Sequence, residues 1–150
     1  MENKPIIRKA EASDLEPLLG LLDQLKPNNK KYSQEDHTAA YKALLEITQN
    51  KDYFLKVCEI EGKLAGTATL LVQMNLSHGG KPYGHIENVV TDQAYRGKGV
   101  GGLLVEDLLR EAKTARCYKV ILDCAESVSP FYQKFGFKKH GSIEMRIDLG

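Results

Sequence analysis

The stretch His85-Ile86-Glu87-Asn88-Val89-Val90-Thr91-Asp92-Gln93-Ala94-Tyr95-Arg96-Gly97-Lys98-Gly99-Val100-Gly101-Gly102-Leu103-Leu104 decides the architecture. Residues 84–91 are rich in strand formers, and residues 100–116 place Leu103, Leu104, Leu108 and Leu109 on the inner side of a helix. Residues 118–124 read as a further strand, so the three pieces make one βαβ unit. At the turn between strand and helix, Gly97, Gly99, Gly101 and Gly102 let backbone N–H groups approach an anion without a Cβ in the way. The positive end of the helix dipole and the charges of Arg96 and Lys98 act in the same sense, so a pyrophosphate is the expected occupant.

The spacing narrows the ligand. The turn lacks the G-K-[ST] ending of a nucleoside-triphosphate loop, whose hydroxyl holds magnesium, while Gly97-x-Gly99-x-x-Gly102 matches the bare G-x-G-x-x-G spacing, a weak signal by itself. Asp123 lies at about the distance of a ribose-binding acid, so the flanking strand rather than the glycine count has to choose the ligand.

Outward from the turn, residues 6–9 read as a first strand. Ser13 ahead of Leu15, Leu18, Leu19, Leu22 and Leu25 predicts an N-capped amphipathic helix that ends before Pro27. Asn28-Asn29-Lys30 is a polar connection. Ser33 with Asp36 three residues on opens a second helix carrying Tyr41, Leu44, Leu45 and Ile47. Residues 53–60 and 63–75 form a hairpin about Glu61-Gly62, and Gly79-Gly80 turns the chain again. A short helix is expected over residues 127–135, closed by Gly136, and residues 143–149 alternate as a final strand. Antiparallel strands followed by a crossover helix predict an α/β fold with a mixed sheet and helices on both faces.

Composition sets the outer bounds. A chain of 150 residues, 42% of them hydrophobic, suits one domain over residues 1–150. A formal charge of +1, with both signs dispersed, leaves no basic stripe for nucleic acid. No apolar run approaches a membrane span and residues 1–5 lack a signal-peptide core, so a cytoplasmic protein is expected. Cys58, Cys117 and Cys124 form no C-x-x-C pair and read as buried thiols; with four scattered histidines, no metal site is expected.

Arg96-x-x-Gly99-x-Gly101 after the strand His85-Ile86-Glu87-Asn88-Val89-Val90 resembles the acetyl-CoA signature of the GNAT acetyltransferases, and the succession of elements is similar to that fold over nearly the whole chain. Within that superfamily, Gly84-His85-Ile86-Glu87, the segment from Cys117 to Cys124, and Phe131-Tyr132-x-Lys134-x-Gly136-Phe137 resemble glucosamine-6-phosphate N-acetyltransferases.

The resemblance implies a mostly antiparallel central sheet of six to seven strands flanked by about four helices. It also implies acetyl-CoA as cosubstrate, a small-molecule amine as acceptor, possible substrates being glucosamine 6-phosphate or glucosamine, and a homodimer joined through the last strands. It assigns cofactor contacts to Val89, Val90 and Thr91, to the turn Arg96, Gly97, Lys98, Gly99, Val100, Gly101 and Gly102, and to Ser127, Phe131 and Tyr132.

By the same resemblance Tyr132 faces the thioester sulfur. A thiolate of pKa about 8.5 takes a proton from a phenol of pKa about 10 only uphill, by roughly 2 kcal/mol, so hydrogen bonding to the sulfur is favoured over full protonation. Glu87 and Asp123 are placed near the amine, to orient the ammonium or accept its proton. An amine of pKa near 8 is already neutral about one time in ten at pH 7, so an amino sugar needs less base catalysis than a lysine. Three positions depart from the pattern: Asn88 replaces an aspartate, Asp148 stands near where a basic residue reaches a sugar phosphate, and Val128 replaces an asparagine. Arg146, Lys138 and Lys139 are the nearby candidates for a phosphate, and Ser127 or Ser129 for the lost amide. A polyamine, an aminoglycoside or a protein terminus is the alternative acceptor, and a silent acetyl-CoA-binding module is the reading from a different class.

Overall fold

The computed structural model describes residues 3–27 and 31–150; the Asn28-Asn29-Lys30 connection lies outside them. The elements follow in the order β1 (Ile6–Lys9), α1 (Leu15–Leu25), α2 (Gln34–Gln49), β2 (Tyr53–Ile60), β3 (Lys63–Gln73), β4 (Tyr83–Thr91), α3 (Val100–Thr114), β5 (Val120–Ile121) and α4 (Ser129–Gln133). The five strands form one sheet in sequence order, antiparallel from β1 to β4 and parallel between β4 and β5. This is the mixed sheet that the hairpin followed by a crossover helix demands.

The two faces of the sheet bury different clusters. On one, Cys58, Ala68, Leu70, Val72 and Ile86 pack against Val100, Leu104, Leu108 and Ala112 of α3. On the other, Val57 packs with Leu18 of α1 and Leu44 of α2. Gly66 and Gly84 make the first face close: a Cβ on Gly66 would stand 2.8 Å from Val100 Cγ1, and one on Gly84 2.8 Å from Leu70 Cδ1. Lys56 of β2 is also buried on the α3 side, with its ammonium 2.8 Å from Glu111 and 3.1 Å from Asp107. Burial alone lowers its pKa, but the two carboxylates outweigh that and raise it, so α3 is pinned to the sheet by a paired, charged lysine.

Several sequence expectations are corrected at their edges. Ser13 does not cap α1, because residues Ala12–Asp14 form a 3₁₀ turn in which Asp14 accepts the Glu11 N–H at 2.7 Å. The Ser33–Asp36 capping box of α2 is present as read. Leu103 is 37% exposed, since the inward side of α3 runs through Val100, Leu104, Val105 and Leu108. Residues 118–124 reduce to the two-residue β5, because the segment parts from β4 after the His85–Ile121 pair. Residues 127–135 divide into a 3₁₀ turn, Glu126–Val128, and α4.

Residues 143–149 join no strand, which leaves the sheet with five strands among the described residues rather than six or seven. Ile143, Met145, Ile147 and Leu149 are all at least 80% exposed. Cys124 is exposed too, unlike buried Cys58, so it is not the buried thiol expected. Among the described residues no helix is long and apolar enough to cross a membrane, and no group of His, Cys, Asp or Glu is arranged for a metal.

Candidate active site

The site grows from the end of β4. Between Thr67 and Thr69 of β3 the register slips, so that β4 carries an extra residue there, and Asn88 takes φ 54°. Asparagine tolerates this left-handed conformation better than most side chains, and the bulge redirects the strand immediately after Glu87. Beyond it, Val89 is half-buried against the α3 cluster, Val90 is buried and Thr91 half-buried. Because β5 pairs only at Gly84–Val120 and His85–Ile121, the later part of β4 has no β5 ladder beside it. Its backbone is therefore not committed to that neighbour.

The glycines of the turn divide into two kinds. Gly97 and Gly99 have φ of 77° and 80°, and nothing lies within 4 Å of where a Cβ would stand on either. They supply the conformation and an open cradle that side chains would fill. Gly101 and Gly102 have another task. A Cβ on Gly101 would lie 3.2 Å from Phe131 Cζ and 3.4 Å from Thr91 Oγ1, and one on Gly102 3.3 Å from Phe135 Cζ. They seat the start of α3 beneath α4. Leu103 N–H makes the first helical bond, to the Gly99 carbonyl at 3.1 Å, so the N–H groups of Val100, Gly101 and Gly102 stand ahead of it at the positive end of a 15-residue helix. Val100 itself is 1% exposed and belongs to the core. Arg96 and Lys98 are exposed, Arg96 Nε donating to the Thr91 carbonyl at 3.4 Å and Lys98 lying over the Tyr95 ring.

Residues that the sequence reading did not single out hold this loop in place. Asp92 accepts the Ala94 N–H at 2.8 Å, and its other oxygen accepts from Gln24 Nε2 at 2.8 Å; Gln24 Oε1 in turn accepts the Gln93 N–H. The Gln24 bond, then that of Ala94, holds the Asp92 carboxyl below its ordinary range. The last turn of α1 thus clamps the approach to the glycine turn. Asp92 at a strand end was legible as a cap. Gln24, 68 residues away, carries no local signal.

On the far side, Tyr132 of α4 is 8% exposed and meets Phe131 and Phe137 edge to face. Among the described residues its hydroxyl has no hydrogen-bond partner. Burial raises its pKa, and the neighbouring Cys124 adds to the effect, so the phenol keeps its proton and is available as a donor. Phe131 also meets Phe135, forming an aromatic wall over Gly101 and Gly102. Ser127 is exposed, while Ser129 spends its hydroxyl on the Glu126 carbonyl at 2.9 Å.

Glu87 lies on the face of the sheet opposite α3. It lines, with His85 and Asn88, one end of a cavity of about 460 Å³ between the sheet and helices α1 and α2. Most of the remaining lining is apolar, including Leu15, Leu19 and Leu22, and it contains no lysine or arginine. Glu87 Oε1 lies 3.2 Å from His85 Nε2. Asp123 is exposed beyond the end of β5. No ladder joins it to Glu87, because β5 leaves β4 after the His85–Ile121 pair.

Comparison with known proteins agrees with this layout. Residues 19–137 match the acetyltransferase (GNAT) family. The glucosamine 6-phosphate N-acetyltransferase of Trypanosoma brucei brucei is 47% identical over 88 residues, 59% of each chain. A probable glucosamine 6-phosphate N-acetyltransferase 2 of Oryza sativa subsp. japonica is 36% identical over 146 residues, 94% of this chain and 86% of that one. The crystal structure of glucosamine-6-phosphate N-acetyltransferase from Arabidopsis thaliana superposes with a TM-score of 0.86 at 34% identity, covering 98% of this chain and 99% of that one. A sheet whose fourth strand bulges and runs into a glycine turn under a helix is an acyltransferase scaffold, and the chain belongs to the GNAT acetyltransferase family. It is an acetyl-CoA-dependent N-acetyltransferase.

Proposed function

We propose that the acceptor is an amino sugar, glucosamine 6-phosphate or glucosamine, acetylated by direct attack while both substrates are bound. One observation carries the reading: the bulge at Asn88 leaves Glu87 in the cavity under α1 and α2 while the next residues, Val89 to Thr91, run to the glycine turn. A single stretch of β4 therefore serves the amine on one side and the thioester on the other. The open cradle at Gly97 and Gly99 and the buried, unengaged phenol of Tyr132 fit acetyl-CoA, which supplies the activated acyl group.

In this reading the N–H groups at the start of α3, with Arg96 and Lys98, hold the pyrophosphate. The backbone of Val89 to Thr91 orients the pantetheine arm, with Phe131 and Ser127 on its other side. Tyr132 donates a hydrogen bond where negative charge develops on sulfur, and Glu87 and Asp123 orient the ammonium and accept its proton. Arg146 pairs with Asp148 at 2.7 Å and Lys139 with Glu126, which leaves Lys138 as the candidate for a sugar phosphate that pairs with no carboxylate among the described residues. The names of the relatives favour the phosphorylated sugar.

Thiol release with acetyl-CoA and a panel of glucosamine 6-phosphate, glucosamine, spermidine, an aminoglycoside and a peptide tests the assignment. An amino sugar is expected to be preferred by about 100-fold in kcat/KM, or about 2.7 kcal/mol of differential transition-state binding. Absence of stimulation by any amino sugar would sink the acceptor assignment.

The partner of residues 143–149 in this reading is a second copy of the chain. The support is the four apolar side chains displayed along that segment, each worth about 1.5–3 kcal/mol when buried. Deleting residues 142–150 is expected to convert a dimer into a monomer in sedimentation equilibrium. A full-length protein that sediments as a monomer at micromolar concentration would refute the pairing. The three unpaired cysteines suit the reducing cytosol, where we place the enzyme.

A further inference from the structure

His85 is absent from the chemistry described so far, yet its ring stands beside the carboxylate proposed to hold the amine. His85 and Glu87 are two residues apart on β4, so their side chains share a face of the sheet, the one that lines the cavity under α1 and α2. His85 sits in mid-sheet, opposite Leu71 on β3 and Ile121 on β5. Its ring is 27% exposed and its Nε2 stands 3.2 Å from Glu87 Oε1. Glu87 is looser: its side chain is 53% exposed, the backbone leaves the regular pleat at the next residue, and no lysine or arginine pairs with it among the described residues. A half-exposed glutamate spends conformational freedom when it is fixed, so an amine site built on it needs a partner already held by the fold.

We propose that His85 is a positioning residue for the transfer reaction: its Nε2–H holds one oxygen of Glu87 and leaves the other for the acceptor ammonium. The role rests on the reading of Glu87 as an amine-site carboxylate. The neutral imidazole suffices, because one ring N–H is all that the carboxylate oxygen requires. In this proposal the contribution of the ring passes through Glu87, two residues along the same face of β4.

A double-mutant cycle isolates that path. With glucosamine 6-phosphate as acceptor, His85→Leu is expected to lower kcat/KM by about tenfold, the size of one hydrogen bond to a charged group, and to leave the KM for acetyl-CoA unchanged. His85→Gln, whose amide N–H reaches the position of Nε2, is expected to restore most of the loss. Combining His85→Leu with Glu87→Gln is expected to be no worse than Glu87→Gln alone. Additive losses, a glutamine variant as poor as leucine, or a parallel change in the KM for acetyl-CoA would each overturn the proposal, as would a Glu87→Gln variant with full activity.

A second measurement does not depend on the acceptor. Long-range 1H–15N spectra above pH 8 are expected to show His85 protonated at Nε2 in the wild type, with that tautomer depleted in Glu87→Gln. An Nδ1–H tautomer in the wild type contradicts the proposal. Inactivity toward every amino sugar, with the Nε2–H signature intact, contradicts the acceptor assignment instead.

Discussion

Replacing Gly99 with valine is expected to raise the KM for acetyl-CoA by about 100-fold while the protein remains folded. Gly99 precedes α3 with φ 80° and ψ 7°, a conformation that costs a β-branched residue about 1–2 kcal/mol. Space is not the obstacle, since nothing lies within 4 Å of the added Cβ. The backbone is. Relaxing the strain rotates the peptide that leads into Val100, and each misdirected hydrogen bond to a charged group loses about 1.5–3 kcal/mol. Together these amount to about 3 kcal/mol, or roughly two powers of ten in affinity. Titration calorimetry with CoA and steady-state kinetics measure the loss, and circular dichroism checks the fold. A KM within twofold of the wild type would remove this turn from the cofactor site.

Tyr132→Phe is expected to lower kcat by about 100-fold and leave the KM for acetyl-CoA within a small factor, the pattern of a donor engaged only as charge develops. The substitution is mild for the fold, because Tyr132 is held by ring contacts with Phe131 and Phe137 and its hydroxyl has no partner among the described residues to lose. The raised pKa of the phenol sharpens the expectation. A weaker acid than an ordinary tyrosine stabilises a leaving thiolate by donation without giving up its proton, so phenylalanine removes the whole effect. Unchanged kcat would show that another group receives the leaving sulfur.

The elements legible in the sequence were those whose signals are local. Residues 6–9 and 53–60 carried strand formers bounded by turns, Ser33 and Asp36 formed their capping box, and Val100 opened the helix after the glycines. What failed depended on neighbours distant in the chain. The shortness of β5 follows from its divergence from β4, and the exposure of Leu103 from the way α3 lies on β3. The division of the turn glycines, two for conformation and two for contact with Phe131 and Phe135, required α4 to be in place. The same holds for the site: the Arg96–Gly102 turn stood out by residue type and spacing and Glu87 and Tyr132 by resemblance to the GNAT acetyltransferases, whereas Gln24 became visible only once the end of α1 met Asp92. His85 lay between, two residues from Glu87 on a strand already recognised, and the period of two was enough to place it on the same face.

The unpaired segment near the C-terminus bears on how the protein is to be handled. A run with Ile143, Met145, Ile147 and Leu149 displayed in alternation has no partner within the described part of its own chain. With a second copy of the chain as its proposed partner, the order of this segment is expected to follow mass action, so that dilution acts on it as a denaturant while the five-stranded sheet is untouched. Thermal midpoints taken at a single protein concentration mix the two quantities, and a concentration series separates them.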